Sequence, residues 1–312
     1  MQIHRNIEAL PQLSRAVLTI GTFDGVHLGH ARIMQQLVQT AAAIGGTTVV
    51  ITFYPHPRHV IEGEAPIGLL TTQEEKYAIL ERAGIDHLVE IPFNKTFAEQ
   101  TAEAYIEHFL VRYFKPHTII TGYDHKFGKG RKGDYTLLEE MGKKFNYTVK
   151  EIPAEVLEQV SISSTRIRVA LTQGDVEKAS EYLGYPYTLS GLVVQGAQKG
   201  RTIQFPTANL QITDQEKLIP AHGVYAVRVT VQGKVYKGML NIGNRPTVNG
   251  THTTIEVHIL DFNDEIYGSI IQLAFIYKLR DEQRFPNLDA LKQQLEADLI
   301  RVNTLLEDLS QD

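Results

Sequence analysis

Residues 16–53 read AVLTIGTFDGVHLGHARIMQQLVQTAAAIGGTTVVITF, and this stretch contains a complete strand, helix and strand pattern. Its first part, Ala16–Phe23, is rich in apolar and β-branched residues and predicts a strand. In Ala31–Ile44 the apolar residues recur at helical spacing, and the Gly45–Gly46 pair that follows is a typical helix stop. Thr47–Phe53 again has the composition of a strand. The pattern therefore predicts a βαβ unit, which is the building block of a parallel sheet.

The same alternation of strand and helix patterns continues to about residue 185. The predicted helices are Glu74–Ala83, Phe97–Phe114 and Asp134–Phe145. The predicted strands are His87–Ile91, Thr118–Thr121 and Tyr147–Ile152. We therefore expect residues 1–185 to form a Rossmann-like α/β domain.

Beyond Tyr185–Pro186 the pattern changes to β segments that are separated by turn signals. The predicted strands are Leu189–Val194, Gly223–Val231, Val235–Ile242, Thr253–Leu260 and Ile270–Tyr277. Gln232–Gly233 is typical of a tight hairpin turn. A final helix is predicted over Leu288–Leu309, because five apolar residues fall on one helical face. Residues 186–312 are therefore expected to form a small antiparallel β-barrel closed by a C-terminal helix.

The composition argues against several classes of protein. The 312 residues are 43% hydrophobic and 21% charged, which are ordinary values for a globular protein of two domains. A formal net charge of −5 argues against a nucleic-acid partner, because binding to phosphate backbones needs clustered Lys and Arg. The absence of cysteine excludes disulfides and thiolate nucleophiles, and no run of about 18 apolar residues predicts a membrane span. We expect a cytoplasmic protein without a nucleic-acid or membrane partner, and the sequence does not specify its oligomeric state.

The loop Gly21–His30 (GTFDGVHLGH) lies where the first strand ends and the first helix begins. Ligands of open parallel sheets bind outside the carboxyl ends of strands, and the free N–H groups of a helix start favour phosphate. Glycines at positions 21, 25 and 29 allow close approach of the backbone to a ligand. His27 and His30 are three residues apart, so they can share one helical face. The pattern favours a phosphate site; the alternative is a capping or surface role for the histidines.

A second candidate segment is Ile162–Arg168, ISSTRIR. Ser163, Ser164 and Thr165 precede a helix, and two arginines follow. Hydroxyl groups and a guanidinium at a helix start suit the outer phosphates of a nucleoside triphosphate. The alternative is that these hydroxyls only cap the helix.

Together, HxGH after the first strand and ISSTRIR late in the same domain resemble the nucleotidyltransferase superfamily, which joins an alkyl phosphate to a nucleotide. Within it, GTFDGVHLGH, TFYPHP at Thr52–Pro57 and GYDHKFG at Gly122–Gly128 are similar to the FMN adenylyltransferase branch. The resemblance implies that FMN phosphate itself attacks ATP, with Mg²⁺ neutralising charge and with no protein nucleophile.

The resemblance also implies roles for individual residues. It assigns catalytic and ATP-binding roles to His27, His30 and Arg168, and ATP contacts to Gly21, Phe23, Ser164 and Thr165. It assigns flavin contacts to Phe53, Pro55, Asp124 and Phe127, of which the aromatic residues and the proline have simple core packing as their alternative. The branch commonly has an aromatic residue at the position of His125, so this chain departs from its pattern there.

In the second half, Gly191–Asn209 reads GLVVQGAQKGRTIQFPTAN, a strand followed by a basic, glycine-containing loop. Such loops wrap phosphate through backbone N–H groups, although the same residues also describe an ordinary solvated turn. Thr207 and Asn209 lie two apart, so an extended chain points both to one side, where their oxygens suit a hard cation such as Mg²⁺. A turn hydrogen bond of Thr207 is the alternative.

Further segments resemble riboflavin kinase across the whole second domain: NIGNRPT at Asn241–Thr247, TTIEVHILDFNDEIYG at Thr253–Gly268 and RDEQRFP at Arg280–Pro286. Along Thr253–Leu260, Glu256 falls on the face opposite to the apolar residues.

This second resemblance implies that Glu256 is the general base on the ribityl hydroxyl of riboflavin. It implies Mg²⁺ and ATP contacts for Thr207 and Asn209, further ATP contacts for Gly196, Lys199, Gly200 and Arg201, and a flavin contact for Arg280. Gln204 stands where the family often has glycine before FPT.

The leading hypothesis is a bifunctional enzyme that converts riboflavin and ATP to FMN and ADP, and then FMN and ATP to FAD and pyrophosphate. A second hypothesis keeps the nucleotidyltransferase but gives it another phosphate-ester acceptor, with the barrel only binding a ligand. A third is a flavin-sensing or RNA-binding regulator that has lost its chemistry. The presence of Glu256 with Thr207 and Asn209 argues against the second hypothesis. Against the third, the presence of both histidines and Glu256 argues against a loss of chemistry, and the acidic charge balance argues against RNA binding.

Overall fold

The computed structural model describes residues 1–61, 67–153, 162–196, 203–247 and 250–307, with only the backbone for 245–247 and 250–252. By its packing the chain divides into two compact units, Met1–Ser164 and Thr165–Asp312.

The first unit contains a six-stranded parallel sheet with the strand order β1-β4-β3-β2-β5-β6. Its strands are β1 (Gln2–His4), β2 (Ala16–Ile20), β3 (Thr47–Tyr54), β4 (His87–Pro92), β5 (Thr118–Gly122) and β6 (Thr148–Ile152). The expected Rossmann-like sheet is confirmed. The sequence did not predict β1, because three residues are too few to show a periodic pattern, and this strand exists through its pairing with β4.

The predicted first strand is too long. It ends at Ile20 rather than Phe23, because Phe23 has a left-handed backbone with φ +47° that cannot continue a strand. Its ring is buried at 2% exposure, which keeps the residue in this uncommon conformation.

Helices cover both faces of this sheet. They are α1 (Leu28–Ile44), α2 (Gln73–Arg82), α3 (Lys95–Ala98), α4 (Ala102–Ala104) with the π-helix Tyr105–Phe114, and α5 (Tyr135–Phe145). The prediction of one helix over Phe97–Phe114 is wrong. The chain breaks between α3 and α4, where the Thr101 hydroxyl accepts a hydrogen bond from Ala104 N at 3.2 Å and starts a new helix.

Consecutive residues of the central strands pack on opposite faces of the sheet, in two separate hydrophobic clusters. Leu18 packs with Phe109 on one face of the sheet, whereas Val17 packs with Leu37 and Leu80 on the other. Burial on both faces explains why these strands are continuous apolar runs rather than alternating ones.

The order of the strands reverses at β2, which pairs with β3 on one side and β5 on the other. Ligands of such sheets bind at this switch point, outside the carboxyl ends of the strands. Gly21–His30 follows β2, Pro55 follows β3 and Asp124 follows β5, so the candidate segments leave the same edge of the sheet.

The loop after β5 is anchored by Phe127. Its ring packs against Tyr105 with the centroids 5.2 Å apart, and its backbone exchanges hydrogen bonds of 3.1 and 2.9 Å with Gly133. A Cβ atom at Gly133 would lie 2.4 Å from the Phe127 ring, so only glycine fits there. The His125 ring stacks on Phe127 as well, with the ring centroids 5.7 Å apart.

The second unit contains a closed antiparallel barrel with the strand order β10-β11-β8-β7-β12-β9. The strands are β7 (Thr188–Val194), β8 (Ala208–Ile212), β9 (Gly223–Val231), β10 (Lys234–Thr247), β11 (Gly250–Ile259) and β12 (Ile270–Arg280). The expected barrel is confirmed, although β8 was not predicted as a strand.

The helix α8 (Leu288–Leu305) packs against the barrel through Val302 and Leu306, which lie in one core cluster with Leu279. The expected C-terminal helix is confirmed to Leu305; its predicted last residues, 308 and 309, lie outside the described residues.

Two further helices are α6 (Ser164–Gln173) and α7 (Val176–Leu183). All of α7 belongs to the second unit, and so does α6 except for its first residue, Ser164. The helix α7 packs on β12. It begins at Asp175, whose carboxylate accepts from Lys178 N at 2.9 Å, and ends at Gly184 with φ +83°. The domain boundary at Tyr185–Pro186 stays a prediction.

A fragment of residues 174–312 should be more stable than a fragment of residues 186–312. The shorter fragment lacks α7, whose Val176, Ala179 and Leu183 are buried, so it loses roughly 3–6 kcal/mol of apolar burial. Thermal unfolding followed by circular dichroism measures the difference, and equal melting temperatures would show that α7 contributes nothing to the barrel.

Replacing His125 with Phe should reduce the loss of stability in acid. The pKa of His125 is lowered to about 4, mainly by burial; the Asp124 charge opposes this effect and the Arg131 charge adds to it. Its Nε2 is buried without a hydrogen-bond partner in the part of the chain that the structure describes. The unfolded chain takes up a proton near pH 6.5 and the folded chain only near pH 4, so folding stability falls as the pH drops through that window.

The melting temperatures of the parent and the His125→Phe protein are to be compared from pH 7.5 to 4.5. At pH 7.5 His125 is neutral in both states, so the comparison there isolates the packing effect. A difference in melting temperature that stays constant over the whole range would contradict a buried neutral imidazole.

Candidate active sites

His27 and His30 lie together at the start of α1. His27 is the N-cap residue, and its Nδ1 accepts a 3.4 Å hydrogen bond from His30 N. The two rings stack with their centroids 3.7 Å apart and their planes 15° from parallel. The expected shared face is therefore present, at the N-terminus of α1.

His30 presents a neutral imidazole. Burial lowers its pKa well below the ordinary value, and the charges of His27 and Lys76 lower it further. Its Nδ1 is buried and has no hydrogen-bond partner among the described residues. A buried nitrogen without a partner is costly, so this atom is suited to a hydrogen bond with a ligand.

Gly21 and Phe23 support this histidine. The Phe23 ring meets the His30 ring edge to face at 5.2 Å. A Cβ atom at Gly21 would lie 3.0 Å from the Phe23 ring, so the glycine leaves the room that the ring needs. The predicted ATP contacts of these two residues stay predictions.

The buried Asp24 carboxylate holds the histidine loop in place. Its Oδ1 accepts from Leu70 N at 2.9 Å and Thr71 N at 3.2 Å, and the Thr71 hydroxyl in turn accepts from Gly25 N at 3.2 Å. The Ser164 hydroxyl donates to the backbone oxygen of Asp24 at 2.9 Å. The second candidate segment therefore touches the first one through Ser164.

Thr165 and Arg168 follow Ser164 in α6. Thr165 is exposed in the first turn, and Arg168 is half-buried one turn later. Their predicted contacts with the pyrophosphate side of ATP stay predictions.

The four flavin contacts that were predicted in the first unit differ in their exposure. Asp124 is exposed and Pro55 is half-buried. Phe53 is half-buried and contacts Phe93 and Phe97, with ring centroids 5.5 and 5.7 Å away, and Phe127 is 7% exposed. Both aromatic rings contribute to the packing of the core, which is the alternative that the sequence left open for them.

Sequence reasoning missed Lys76, which is only 7% exposed. Burial lowers its pKa, and the charges of Asp24 and Glu90 oppose that effect. The available signal was its place four residues before Leu80, on the apolar face of α2. A lysine at such a position needs carboxylates close to it, and the sequence does not show where they come from.

In the barrel, the predicted metal and base residues meet. The Thr207 hydroxyl lies 3.5 Å from Glu256 Oε2, and Asn209 is the direct cross-strand neighbour of Glu256. On its other side Glu256 faces Asn241 of β10. The alternation expected around Glu256 is confirmed, because Ile255 and Val257 are buried and Glu256 is half-buried.

The glycine loop is described only in part. A Cβ atom at Gly196 would lie 2.1 Å from the Asn209 amide nitrogen, so Gly196 lies directly against this side chain. Lys199, Gly200 and Arg201 lie outside the described residues. Gln204 has φ +68°, a conformation that favours glycine, which gives a physical reason for the family's preference at this position.

A cavity of ≈ 370 Å³ opens beside Thr207. Its walls come from β7, β8, β11 and the segment after β11: Val193, Pro206, Thr207, Ala208, Val257, Ile259 and residues 262–267.

Arg280 forms a buried ion pair. Its Nε donates to Asp298 Oδ2 at 2.9 Å, and Asp298, which is 0% exposed, also accepts from Gln294 at 2.9 Å. Its guanidinium also lies 5.6 Å from the centre of the Phe285 ring. These contacts tie β12 to α8, and the predicted flavin contact of Arg280 stays a prediction.

Among the described residues no helix is long and apolar enough to cross a bilayer.

Comparison with known proteins matches both halves of the chain. Residues 10–166 match the FAD synthetase family, and residues 183–306 match the riboflavin kinase family. The bifunctional riboflavin kinase/FMN adenylyltransferase of Haemophilus influenzae is 39% identical over 302 residues, which are 96% of this chain and 97% of that protein. The protein of the same description from Bacillus subtilis is 37% identical over 290 residues, 91% of this chain and 90% of that protein.

A crystal structure from Streptococcus pneumoniae, described as a macrolide-efflux protein, has the same fold with a TM-score of 0.88. It is 32% identical and covers 96% of this chain and 98% of its own. Both family matches and relatives that span nearly the full length lead to one conclusion: the chain belongs to the bifunctional riboflavin kinase/FMN adenylyltransferase family, whose two ATP-dependent reactions convert riboflavin to FMN and FMN to FAD.

Proposed function

We propose that the two reactions take place at two separate sites, riboflavin phosphorylation in the barrel around Glu256 and FMN adenylylation at the switch point around His27 and His30. The observation that carries this assignment is the meeting of Thr207, Asn209 and Glu256 within one barrel, far in sequence from the histidine pair.

In the barrel, Glu256 acts as the general base. Its carboxylate takes the proton of the terminal ribityl hydroxyl while that oxygen attacks the γ-phosphorus of ATP, and ADP leaves. The asparagines on both neighbouring strands, Asn209 and Asn241, are suited to hold the carboxylate and the hydroxyl in place. Catalysis in this reaction rests mainly on positioning and electrostatic stabilisation.

Thr207 and Asn209 would hold Mg²⁺ that is bound to ATP. Their hydroxyl and amide oxygens, next to the Glu256 carboxylate, form a set of hard oxygen donors of the kind that Mg²⁺ prefers. The ion supplies neutralisation of phosphate charge when it is bound.

ATP rather than riboflavin occupies the cavity beside Thr207. Thr207 lines this cavity, whereas Glu256 is not among the residues of its wall. The apolar walls from Val193, Val257 and Ile259 suit a purine ring. The phosphates would then extend past Thr207 towards Glu256 and the flavin hydroxyl.

At the switch point, a phosphate oxygen of FMN attacks the α-phosphorus of ATP, and pyrophosphate leaves. His27 and His30 bind the phosphates by hydrogen bonds at the start of α1, and the neutral state of His30 lets it act without adding a charge. Ser164, Thr165 and Arg168 bind on the pyrophosphate side, and Asp124 binds the flavin. Mg²⁺ bound to ATP is proposed for this reaction as well.

We also place the protein in the cytoplasm, without a nucleic-acid or membrane partner. The absence of cysteine and the net charge of −5 support this.

The test uses two variants with opposite expected losses. His30→Ala should reduce FAD formation from FMN by about 10²–10³-fold and leave riboflavin phosphorylation intact, because the substitution removes a group that binds the ATP phosphates. Glu256→Gln should reduce riboflavin phosphorylation by about 10²–10⁴-fold and leave adenylylation of supplied FMN intact, because the amide cannot accept the proton. Full-length proteins are incubated with MgATP and either riboflavin or FMN, and the flavins are separated by chromatography.

Matched controls are His108→Ala and Glu296→Gln, which change exposed residues of the same types and should affect neither reaction. Loss of both reactions in a folded His30→Ala protein would contradict two separate sites. Parent kinase rates in Glu256→Gln would leave Glu256 as an ordinary solvated residue.

A further inference from the structure

His258 contacts the segment that carries Thr207. It lies two residues after Glu256 on β11 and therefore on the same face of the strand. Its Nδ1 lies 2.8 Å from the backbone oxygen of Pro206, and because a carbonyl only accepts, Nδ1 is the donor. Its ring also meets the Phe205 ring at 5.3 Å.

The ladder between β8 and β11 does not reach this segment. Its register pairs are Ala208 with Val257 and Asn209 with Glu256, and it stops there. Pro206 has no N–H group, so it cannot continue the ladder by donating. The chain before Ala208 is thus attached to β11 by the His258 side chain at the point where the strand pairing ends.

The Phe205 side chain also attaches this segment to the core. Phe205 is 7% exposed and packs in the core cluster with Val302 and Leu306 of the C-terminal helix region. It fixes the residue before Pro206 but not the peptide that leads into Thr207. The hydrogen bond from His258 is made to that peptide, because the accepting oxygen belongs to the Pro206–Thr207 bond.

We propose that His258 is a positioning residue for the kinase reaction: by holding the Pro206–Thr207 peptide on β11, it sets the Thr207 hydroxyl against the Glu256 carboxylate. One strand then carries both the base and the group that places the metal-binding hydroxyl. The proposal rests on the kinase roles proposed above for Thr207 and Glu256.

The consequence is a specific kinetic defect when the hydrogen bond is lost. The Thr207 hydroxyl and the Glu256 oxygen are 3.5 Å apart, so a shift of the peptide by a fraction of that distance separates them. Phosphoryl transfer depends on such alignment, since a misplacement of about 1 Å costs roughly 10²-fold in rate. Metal and ATP binding should weaken, whereas riboflavin binding should change little.

Two substitutions separate the hydrogen bond from the packing. His258→Phe keeps an aromatic ring against Phe205 and removes the donor. His258→Asn removes the ring and keeps an amide N–H near the position of Nδ1. The FMN adenylyltransferase reaction of the same full-length protein is the internal control, because its proposed residues lie outside the barrel.

The measurements are kcat and KM for ATP in riboflavin phosphorylation, the Mg²⁺ concentration that gives half of the maximal rate, and the melting temperature. For His258→Phe we expect kcat/KM for ATP to fall by about 10–100-fold and the Mg²⁺ requirement to rise, with FMN adenylylation unchanged. For His258→Asn we expect values within about threefold of the parent protein.

Parent values of kcat/KM and Mg²⁺ requirement in His258→Phe would overturn the proposal. Equal losses in both variants with a lowered melting temperature would also overturn it, because they would show that only the ring packing matters. Failure of the proposed function has a different signature: Glu256→Gln would then keep its kinase rate, whatever the His258 variants do.

Discussion

The backbone of β2 pairs on both of its sides, with β3 and with β5, and the N-terminal site depends on this constraint. A central parallel strand brings the carboxyl ends of its neighbours to one edge, so the loops after β2, β3 and β5 leave the sheet side by side. The histidine loop is then held by buried hydrogen bonds: the Asp24 carboxylate binds Leu70 and Thr71, and the Ser164 hydroxyl binds the Asp24 backbone. The stacked pair of His27 and His30 is thus carried by a rigid support, as a site that works by positioning requires.

The barrel uses the same principle with antiparallel strands. The place of β11 between β8 and β10 puts Glu256 between Asn209 and Asn241. Closure of the barrel leaves no edge strand along which this register could slip. The polar groups of this site therefore lie at defined distances although they come from segments about 50 residues apart.

The electrostatics of the N-terminal unit favour neutral hydrogen-bonding groups over free charges. Burial lowers the pKa of His30 and of His125, so both imidazoles are neutral at physiological pH. The buried cation Lys76 lies near the carboxylates of Asp24 and Glu90, which compensate its charge. A chain with a net charge of −5 can therefore hold anionic phosphates through local donors rather than through a broad positive surface.

The sequence by itself determined the features that depend on local periodicity and on motifs. The helix pattern of α1 and the alternation that places Glu256 opposite Ile255 and Val257 followed from residues close together in the chain. The two reactions followed from the resemblance of short motifs to two known families. Tertiary structure decided the features that depend on distant partners. The three-residue strand β1 is too short for a pattern and exists through its pairing with β4, and β8 is defined by its pairing with β7 and β11. The burial of Lys76, the core position of Phe127 and the pairing of Arg280 with Asp298 likewise depend on residues that come close only after folding, since the free energy of a buried charge or ring is set by its neighbours in space.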